Sequence, residues 1–352
     1  MDSSASNASA ALPLSELRPW ISKETFLWIE QADKKEAEFK KVMDDEGADA
    51  VAGLFDNDDD EDDAITDRVQ SWSSSLVNPN GIGGYQGNDG TGEVTGVNEE
   101  EQEEGSLRVL FVLSESWEGF GGLLWASARH VANILADEGK CRRLLDPLLK
   151  QRVVQGEEEE KGHPLLGASF LELGAGAGVP SWTAMWCGAR VVCTDLSKEN
   201  RVRCMAESIE RNWRELQKAK SLNSDDTILL NARKARSCPH DWGTPIDRVA
   251  QALNEDGSER FDVIVAADCL YMPAFHSELL DSIDRLLSNR GVALLPFALH
   301  GNTDDTSVWG IVDIAKQKGF SVETLDSQQL TPSYNGMGSK QGLVHTLRLV
   351  KK

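Results

Sequence analysis

The sequence has no excess of positive charge, no long apolar run and no closely spaced cysteine pair. It carries 36 lysines and arginines against 58 aspartates and glutamates, a formal net charge of −22. Binding nucleic acid through its phosphates requires a basic surface, so this balance argues against a nucleic-acid partner and favours a basic protein partner. No stretch approaches the roughly 18 to 20 apolar residues of a membrane span, so no membrane association is predicted.

The six cysteines include no CxxC pair and are interpreted as free thiols of a reducing compartment. The N-terminus lacks a basic stretch followed by an apolar core, so no secretory signal is predicted. The six histidines show no metal-ligand spacing among themselves or with the cysteines, so we predict no metal. A cytoplasmic monomer is therefore expected.

The acidity is concentrated in the first third of the chain. Residues 1–105 hold 26 of the acids and 7 of the bases, whereas the remainder is nearly neutral. Residues 1–55 are predicted to form a helical segment whose amphipathic part, 13–43, packs on the domain or on a partner. Its basic residues are balanced by acids, which disfavours the alternative of a membrane-surface helix. Residues 56–105 contain "DNDDDEDD" and "NEEEQEE" and are predicted to be an acidic disordered linker, either solubilising or attracting a basic partner.

Residues 106–352 alternate short apolar strands with amphipathic helices, which predicts an α/β domain with an open, doubly wound sheet. Right-handed crossovers place the carboxyl ends of parallel strands at one edge, where ligands bind. The predicted strands are the run 107–113 and, in chain order, "SFLEL", "ARVVCTD", "TILLNAR", "FDVIVAAD", "GVALLPFAL", "FSVETL" and "LVHTLRLV".

The stretch "FLELGAGAGVP" carries the strongest chemical signal. A strand runs into glycines at 174, 176 and 178, which permit a tight turn and let a ligand approach the main chain. A dinucleotide fingerprint would place a small residue at 179, but Val179 stands there, and Pro180 removes an N–H that a pyrophosphate would use. The pattern therefore favours a nucleoside without phosphates; a tight connection with no ligand is the alternative.

Two acids follow later strands. Asp195 ends "ARVVCTD", 21 residues after Gly174, where an acid accepts ribose hydroxyls in nucleotide-binding units; capping the next helix is the alternative. Asp268 ends "FDVIVAAD" and is followed three residues later by Tyr271. Asp268 either caps a helix or faces a charged group, and "HSELL" begins too far away for a direct cap.

These motifs, in this order, resemble the seven-β-strand S-adenosylmethionine-dependent methyltransferases. "DCLY" matches the D-x-x-Y motif of their lysine methyltransferase family. "WEGFGGLLWASARHVANIL" and "ALLPFALHGNTDDTSVWGIVDIAKQKGF" further resemble its nicotinamide-N-methyltransferase-like branch, which includes the enzyme that modifies the N-terminus and nearby lysines of translation elongation factor one-alpha. "GAGAGVP" departs from the "GAAGALP" of that enzyme, and "DCLY" is closer to the wider family. The resemblance implies a Rossmann-like seven-stranded sheet with helices on both faces and S-adenosylmethionine as cofactor.

The resemblance also implies individual roles. The predicted cofactor-binding residues are Trp125, Gly174, Ala175, Gly176, Asp195, Trp242 and Ala267. For the two tryptophans, a core position or a loop cover is the alternative. The predicted catalytic residues are Asp268 and Tyr271. Asp268 would bind and orient the acceptor amine, with transient acceptance of its proton as an additional role. The ring of Tyr271 would face a cation or, alternatively, pack on the sheet.

The expected function is methylation of a lysine or N-terminal amine on a protein substrate. A small-molecule N-methyltransferase, a dinucleotide oxidoreductase and a non-catalytic scaffold are the alternatives. The glycine spacing and Pro180 argue against the oxidoreductase, and the intact glycines and acids argue against the scaffold.

Overall fold

The computed structural model describes residues 12–22, 25–27, 29, 67–75, 106–114, 124–154, 162–219, 226–254, 256–300, 304–329 and 339–352. Most of the predicted acidic linker and much of the predicted helix over 13–43 lie outside these ranges.

The helices and strands follow the predicted alternation. The strands are β1 (Asp67–Ser75), β2 (Ser106–Ser114), β3 (Ser169–Leu173), β4 (Arg190–Asp195), β5 (Arg236–Pro239), β6 (Phe261–Val265), β7 (Leu287–His300), β8 (Phe320–Gln329) and β9 (Ser339–Lys351). The helices are α1 (Leu14–Leu17), α2 (Ala126–Ala136), α3 (Glu138–Leu144), α4 (Asp146–Val154), α5 (Val179–Trp186), α6 (Glu199–Ala219), α7 (Thr227–Ala232), α8 (Asp247–Leu253), α9 (His276–Leu286), α10 (Asp305–Trp309) and α11 (Ile311–Gln317).

Seven of the strands form one sheet in the order β5-β4-β3-β6-β7-β9-β8. The first five are parallel neighbours, whereas β9 inserts antiparallel between β7 and β8. The order reverses at β3 and β6, which is the point where open α/β sheets bind ligands. The predicted fold class is confirmed, with an antiparallel end that the simple alternation of strands and helices did not predict.

Helices cover both faces of this sheet, as the side-chain alternation of the central strands requires. In β6, Val263 and Val265 enter the core formed with α2, α5 and α6. Ile264 and the following Ala266 enter the opposite core, formed with α8, α9 and α11. Burial on both faces explains why these strands read as continuous apolar runs.

The predicted strand "TILLNAR" is wrong. Residues Thr227–Ala232 form helix α7, and the strand in this place is β5, a few residues later. The side chain of Asp226 accepts a hydrogen bond from the Ile228 N–H at 2.8 Å, which caps the helix. The β-branched residues Thr227 and Ile228 suggested a strand, but the N-cap decides the local structure.

The N-terminal segment packs on the domain, which was one of the two predicted alternatives. A single helical turn, α1, passes into a 3-10 turn over Arg18–Trp20. Ile21 then forms an isolated parallel bridge with Ser237 of β5. The predicted helix is therefore interrupted at Ile21, whose backbone is extended.

A strand also occurs inside the segment predicted to be a disordered linker. β1 pairs antiparallel with β2 in a separate two-stranded sheet. β2 is tied to α6 by side chains: the Leu110 N–H donates to Asn212 Oδ1 at 3.0 Å, and the Val112 N–H donates to Ser208 Oγ at 2.9 Å. The partner strand explains the difference, because pairing satisfies backbone groups that an isolated polar segment leaves to water.

We expect the substitution Trp20→Ala to lower the free energy of unfolding by about 3 to 5 kcal/mol, the usual loss for a buried tryptophan. Trp20 is buried, contacts the ring of Trp213 at 5.8 Å between centroids, and donates its indole N–H to Glu210. Chemical denaturation measures the change. Leu27→Ala is the control in the same segment, because Leu27 is 46% exposed and its loss should change stability little. Equal effects would contradict docking of the segment.

Candidate active site

The predicted site residues meet at the carboxyl edge of the parallel strands. The glycine turn follows β3, Asp195 ends β4, Trp242 follows β5, and Asp268 follows β6. Direct contacts link these elements, and the fold brings together residues as distant in the sequence as Trp125 and His300, which are 175 positions apart.

The glycine turn adopts a backbone that other residues rarely take. Gly174, Gly176 and Gly178 have φ angles of 64°, 51° and 66°. The Ala175 N–H donates to the Thr194 carbonyl at 3.0 Å, so that N–H serves the fold. The cofactor role of Ala175 stays a prediction, and any contact would use its other atoms.

Asp195 is buried and holds the glycine turn in place. Its Oδ2 accepts the Gly176 N–H at 2.7 Å, and its Oδ1 accepts the Leu196 N–H at 2.8 Å. Arg201, on α6, donates to the same Oδ1 at 2.6 Å. The carboxylate is oriented before any ligand arrives, which suits the predicted ribose role, and Arg201 would compete with a ribose hydroxyl for Oδ1.

Trp242 forms a wall beside the first glycine. A Cβ placed on Gly174 would come within 3.1 Å of the Trp242 ring and 2.8 Å of Cys269 Sγ. Cys269 Sγ in turn donates to the Leu173 carbonyl at 3.3 Å and lies 3.5 Å from the carbonyl oxygen of Ala267. The turn after β6 and the turn after β3 are thus packed against each other.

Asp268 is buried and held by three donors from two elements. Ser127 of α2 donates its hydroxyl to Oδ2, and the Ala298 N–H of β7 donates to Oδ1 at 3.1 Å. The Nε2 atom of His300 lies 3.0 Å from Oδ1. Asp268 has a φ of 55°, the one left-handed non-glycine residue among the described residues. This conformation costs about 1 kcal/mol or more and aims the carboxylate inward from the strand end.

Tyr271 lies in a short 3-10 turn after Asp268 and is partly buried. Burial raises the pKa of its phenol above the ordinary value, and the neighbouring Cys269 and Asp195 add to the increase. The phenol is therefore neutral at physiological pH.

Three residues of the site were missed in the sequence. Ser127 and His300 both contact Asp268, and Arg201 contacts Asp195. His300 ends β7, so its position at the carboxyl edge of a strand was a usable signal. Nothing in the sequence marks Ser127 or Arg201. Trp125 meets this cluster, because its ring makes an edge contact with His300 at 5.0 Å between centroids.

A third buried acid of the site, Glu172, lies in β3, two residues before the glycine turn begins at Gly174. Glu172 accepts hydrogen bonds from both the N–H and the hydroxyl of Ser181, on α5. Burial raises the pKa of the Glu172 carboxyl to about 8; the Ser181 hydrogen bonds oppose this and the charge of Asp195 adds to it. Glu172 is therefore largely protonated at neutral pH.

This pKa predicts a pH-dependent stability. A glutamate in the unfolded chain has a pKa of about 4.3, so the folded state binds more protons up to about pH 8. The stabilisation is full below the unfolded pKa and is lost as pH rises through 8. Between pH 6.5 and 8.5 we expect a fall of about 1 to 2 kcal/mol, or a few degrees in Tm. Glu172→Gln should abolish this fall in thermal unfolding.

The control for this measurement is Glu138→Gln, which changes a half-exposed glutamate paired with Arg142 and should keep the wild-type slope. Burial lowers the pKa of His130 and of His240 to about 4, so these histidines take up protons on unfolding near pH 6.5 and add a small rise of stability with pH. This rise is the same in wild type and in Glu172→Gln, so the difference between the two slopes reports Glu172. An unchanged slope in Glu172→Gln would contradict a protonated Glu172.

The described residues offer neither a metal site nor a membrane-spanning element. No group of three histidine, cysteine or acidic side chains among them is placed to hold a metal ion. No helix in the described part of the chain is long and apolar enough to cross a bilayer. All six cysteines are free. What the residues at the sheet edge do fit is a nucleoside: an oriented carboxylate, an aromatic wall and a glycine turn lie side by side.

Fold and site together define a Rossmann-like methyltransferase class. Residues 106–306, more than half of the chain, match the family model described as lysine methyltransferase. The chain belongs to this lysine methyltransferase family. The resemblance predicted from the sequence is confirmed, with S-adenosylmethionine as the cofactor of the class.

Curated relatives carry related names. The protein N-terminal and lysine N-methyltransferase EFM7 of Gibberella zeae is 28% identical over 49% of this chain and 64% of its own length. The protein of the same name in Aspergillus fumigatus is 31% identical, over 47% of this chain and 60% of its own length. The mouse protein-lysine methyltransferase METTL21E is 28% identical, over 39% of this chain and 48% of its own length. The chain thus spans about half to two thirds of the length of these relatives.

Two solved structures that match this chain are more distant from it in sequence. Magnesium protoporphyrin IX methyltransferase from Synechocystis with bound SAH is 15% identical, covers 60% of this chain and 83% of its own, and has a TM-score of 0.33. The glycopeptide N-methyltransferase MtfA, complexed with S-adenosylmethionine, is 13% identical over 58% and 87%, with a TM-score of 0.34. Membership of the lysine methyltransferase family is shown by the family match and is consistent with the strand order of the sheet.

Proposed function

We propose that this protein transfers a methyl group from S-adenosylmethionine to an amine of a protein substrate, either a lysine or an N-terminal amine. The observation that carries the proposal is the fixed carboxylate of Asp268 beside the glycine turn, at the edge where the sheet order reverses. A carboxylate at this point orients an amine toward a methyl donor seated on the turn.

The proposed cofactor contacts are those that the family resemblance implies, and the positions of the residues at the sheet edge support them. Asp195 would accept ribose hydroxyls, Trp242 would cover the adenine, and Gly174 and Gly176 would let the methionine end approach the main chain. Trp125, Ala175 and Ala267 complete the proposed lining. When bound, S-adenosylmethionine supplies an activated methyl group whose sulfur is its own leaving group, so the protein contributes mainly alignment.

The acceptor amine must arrive unprotonated. A lysine has an ordinary pKa of about 10.4 and a terminal amine about 7.7 to 8.0. Burial next to Asp268 would lower the amine pKa by desolvation, whereas the Asp268 charge would raise it. We therefore assign Asp268 to orientation of the amine. Tyr271 would face the amine with its ring and its neutral hydroxyl.

The first acceptor to test is translation elongation factor one-alpha, to which the sequence resemblance points. The acidic N-terminal third would suit a basic surface on such a partner, and both would meet in the cytoplasm. Two EFM7 relatives carry names that specify both kinds of amine, lysine and the N-terminus.

Labelled S-adenosylmethionine tests the proposal directly. The full chain is incubated with this donor, with nicotinamide and with recombinant elongation factor one-alpha, either with a free N-terminus or with that amine blocked by acetylation. We expect label in the protein, located by mass spectrometry at the terminal amine or at a lysine. Label only in a small molecule such as nicotinamide would overturn the proposal in favour of a small-molecule enzyme. Calorimetry tests the oxidoreductase alternative: binding of S-adenosylhomocysteine without binding of NAD excludes it.

A further inference from the structure

The turn that carries Trp242 is held by one face of helix α9. Gly243, the residue after Trp242, donates its N–H to the hydroxyl of Ser282 at 2.9 Å. Arg285 donates to the next carbonyl of the turn at 3.1 Å. A Cβ placed on Gly243 would come within 3.1 Å of the Glu278 side chain. The three helix residues are spaced by four and three positions, so they share one face of α9.

Ser282 is fully buried and fixes the turn from one side. Its hydroxyl oxygen also lies 3.0 Å from Nε2 of His240, the first residue after β5. From the other side, the His240 N–H donates to the main-chain carbonyl of Asp195 at 2.8 Å. The turn is therefore held between the end of β4, which supplies the predicted ribose acid, and the middle of α9.

The ring of Trp242 depends on this turn for its position. Its indole makes no hydrogen bond with any residue that the structure describes. The ring packs against the glycine turn, where a Cβ on Gly174 would come within 3.1 Å of it. Because no polar contact of the side chain holds the ring, a shift of the Gly243 backbone would move the wall beside the glycine turn.

We propose that Ser282 is a positioning residue for the cofactor, because it holds the turn that aims the Trp242 ring at the adenine. This inference rests on the proposed function, in which Trp242 covers the adenine. The same helix also reaches the acceptor side: His276, at its start, places Nε2 3.0 Å from the Leu270 carbonyl, in the turn after Asp268. Helix α9 thus fixes the cofactor wall and the acceptor turn relative to each other.

The substitution Ser282→Ala removes the hydroxyl. We expect the dissociation constant of S-adenosylhomocysteine to rise by at least about threefold, which corresponds to the loss of one hydrogen bond. KM for S-adenosylmethionine should rise by a similar factor while kcat changes less than about twofold, because Ser282 touches no reacting atom. Calorimetry measures the first value, and steady-state rates with the acceptor identified by labelling measure the others. A smaller rise in the dissociation constant overturns the proposal.

Ser208→Ala is the matched control. Ser208 is likewise a buried serine within a helix, α6, and its hydroxyl accepts the Val112 N–H at 2.9 Å. Its removal breaks the same kind of hydrogen bond, but one that holds β2 instead of the Trp242 turn. We expect both alanine variants to lose thermal stability and Ser282→Ala alone to lose affinity. Equal loss of affinity in both variants would be general destabilisation and overturns the proposal.

A double-mutant cycle tests whether Ser282 acts through Trp242. In the Trp242→Ala background, Ser282→Ala should weaken S-adenosylhomocysteine binding by less than about twofold, because the ring that it positions is gone. A persisting loss of about threefold or more overturns the proposal. If the wild-type chain binds S-adenosylhomocysteine but methylates no amine, the proposed function fails and calorimetry still tests Ser282. If the wild-type chain does not bind it, both fail.

Discussion

Asp268→Asn will lower the rate of methyl transfer by at least about 10²-fold, while the fold and the binding of S-adenosylhomocysteine persist. Asparagine keeps the shape of the side chain and tolerates the left-handed backbone, with φ of 55°, that this position requires. It removes the negative charge that the donors Ser127 and His300 face. An acceptor amine then loses its counter-charge.

The comparison with Asp268→Ala separates charge from backbone. Alanine removes the charge but is strained in the left-handed region, and it leaves the Ser127 hydroxyl and the Ala298 N–H without their acceptor. We expect equal loss of activity in both variants and lower thermal stability in the alanine variant alone. Activity is measured with an accepted peptide, and cofactor affinity by calorimetry. Parallel loss of transfer and of S-adenosylhomocysteine binding in Asp268→Asn would make Asp268 a cofactor or structural residue.

Gly174→Ala will weaken S-adenosylhomocysteine binding by at least about tenfold. The new Cβ would lie 2.8 Å from Cys269 Sγ, closer than real Cβ atoms approach, and 3.1 Å from the Trp242 ring, which is a tight contact. Either neighbour must move, and both belong to the walls of the proposed cofactor site. The φ of 64° adds backbone strain of about 1 kcal/mol.

Gly167→Ala is the matched control for this substitution. Gly167 has a φ of 74°, but a Cβ there would meet nothing within 4 Å. It therefore measures the backbone strain without the clash. We expect a similar small loss of stability from strain in both variants, with ligand affinity lost in Gly174→Ala alone. If Gly167→Ala weakened binding equally, global destabilisation would explain the result, and the contact between Gly174 and Trp242 would carry no functional weight.

The sequence predicted correctly those features whose local pattern follows from the topology of the whole sheet. The glycine turn and Asp268 follow strands that are buried on both faces and are therefore mostly apolar, and Asp195 ends another such strand. Parallel topology then requires their carboxyl ends to share one edge. The location of the site and the family therefore followed from a few short stretches. The roles of the individual residues stay predictions until variants are measured.

Prediction from the sequence failed where a contact or a strand depends on a residue that is distant in the sequence. Ser127 reaches Asp268 across 141 positions, and no spacing rule connects them. β1 is a strand because β2 pairs with it, whereas its own composition is that of a polar segment. α7 was misassigned for the opposite reason: a strictly local device, the cap at Asp226, outweighs the β-branched residues that follow it.

The bridge between Ile21 and Ser237 also bears on how this protein avoids aggregation. β5 is the terminal strand of the sheet, and an open terminal strand is a template onto which a strand of another molecule can pair. Ile21 lies against that strand, and Trp20 and Leu17 are buried beside it. The N-terminal segment therefore occupies hydrogen-bonding positions that would otherwise be offered to a second copy of the chain.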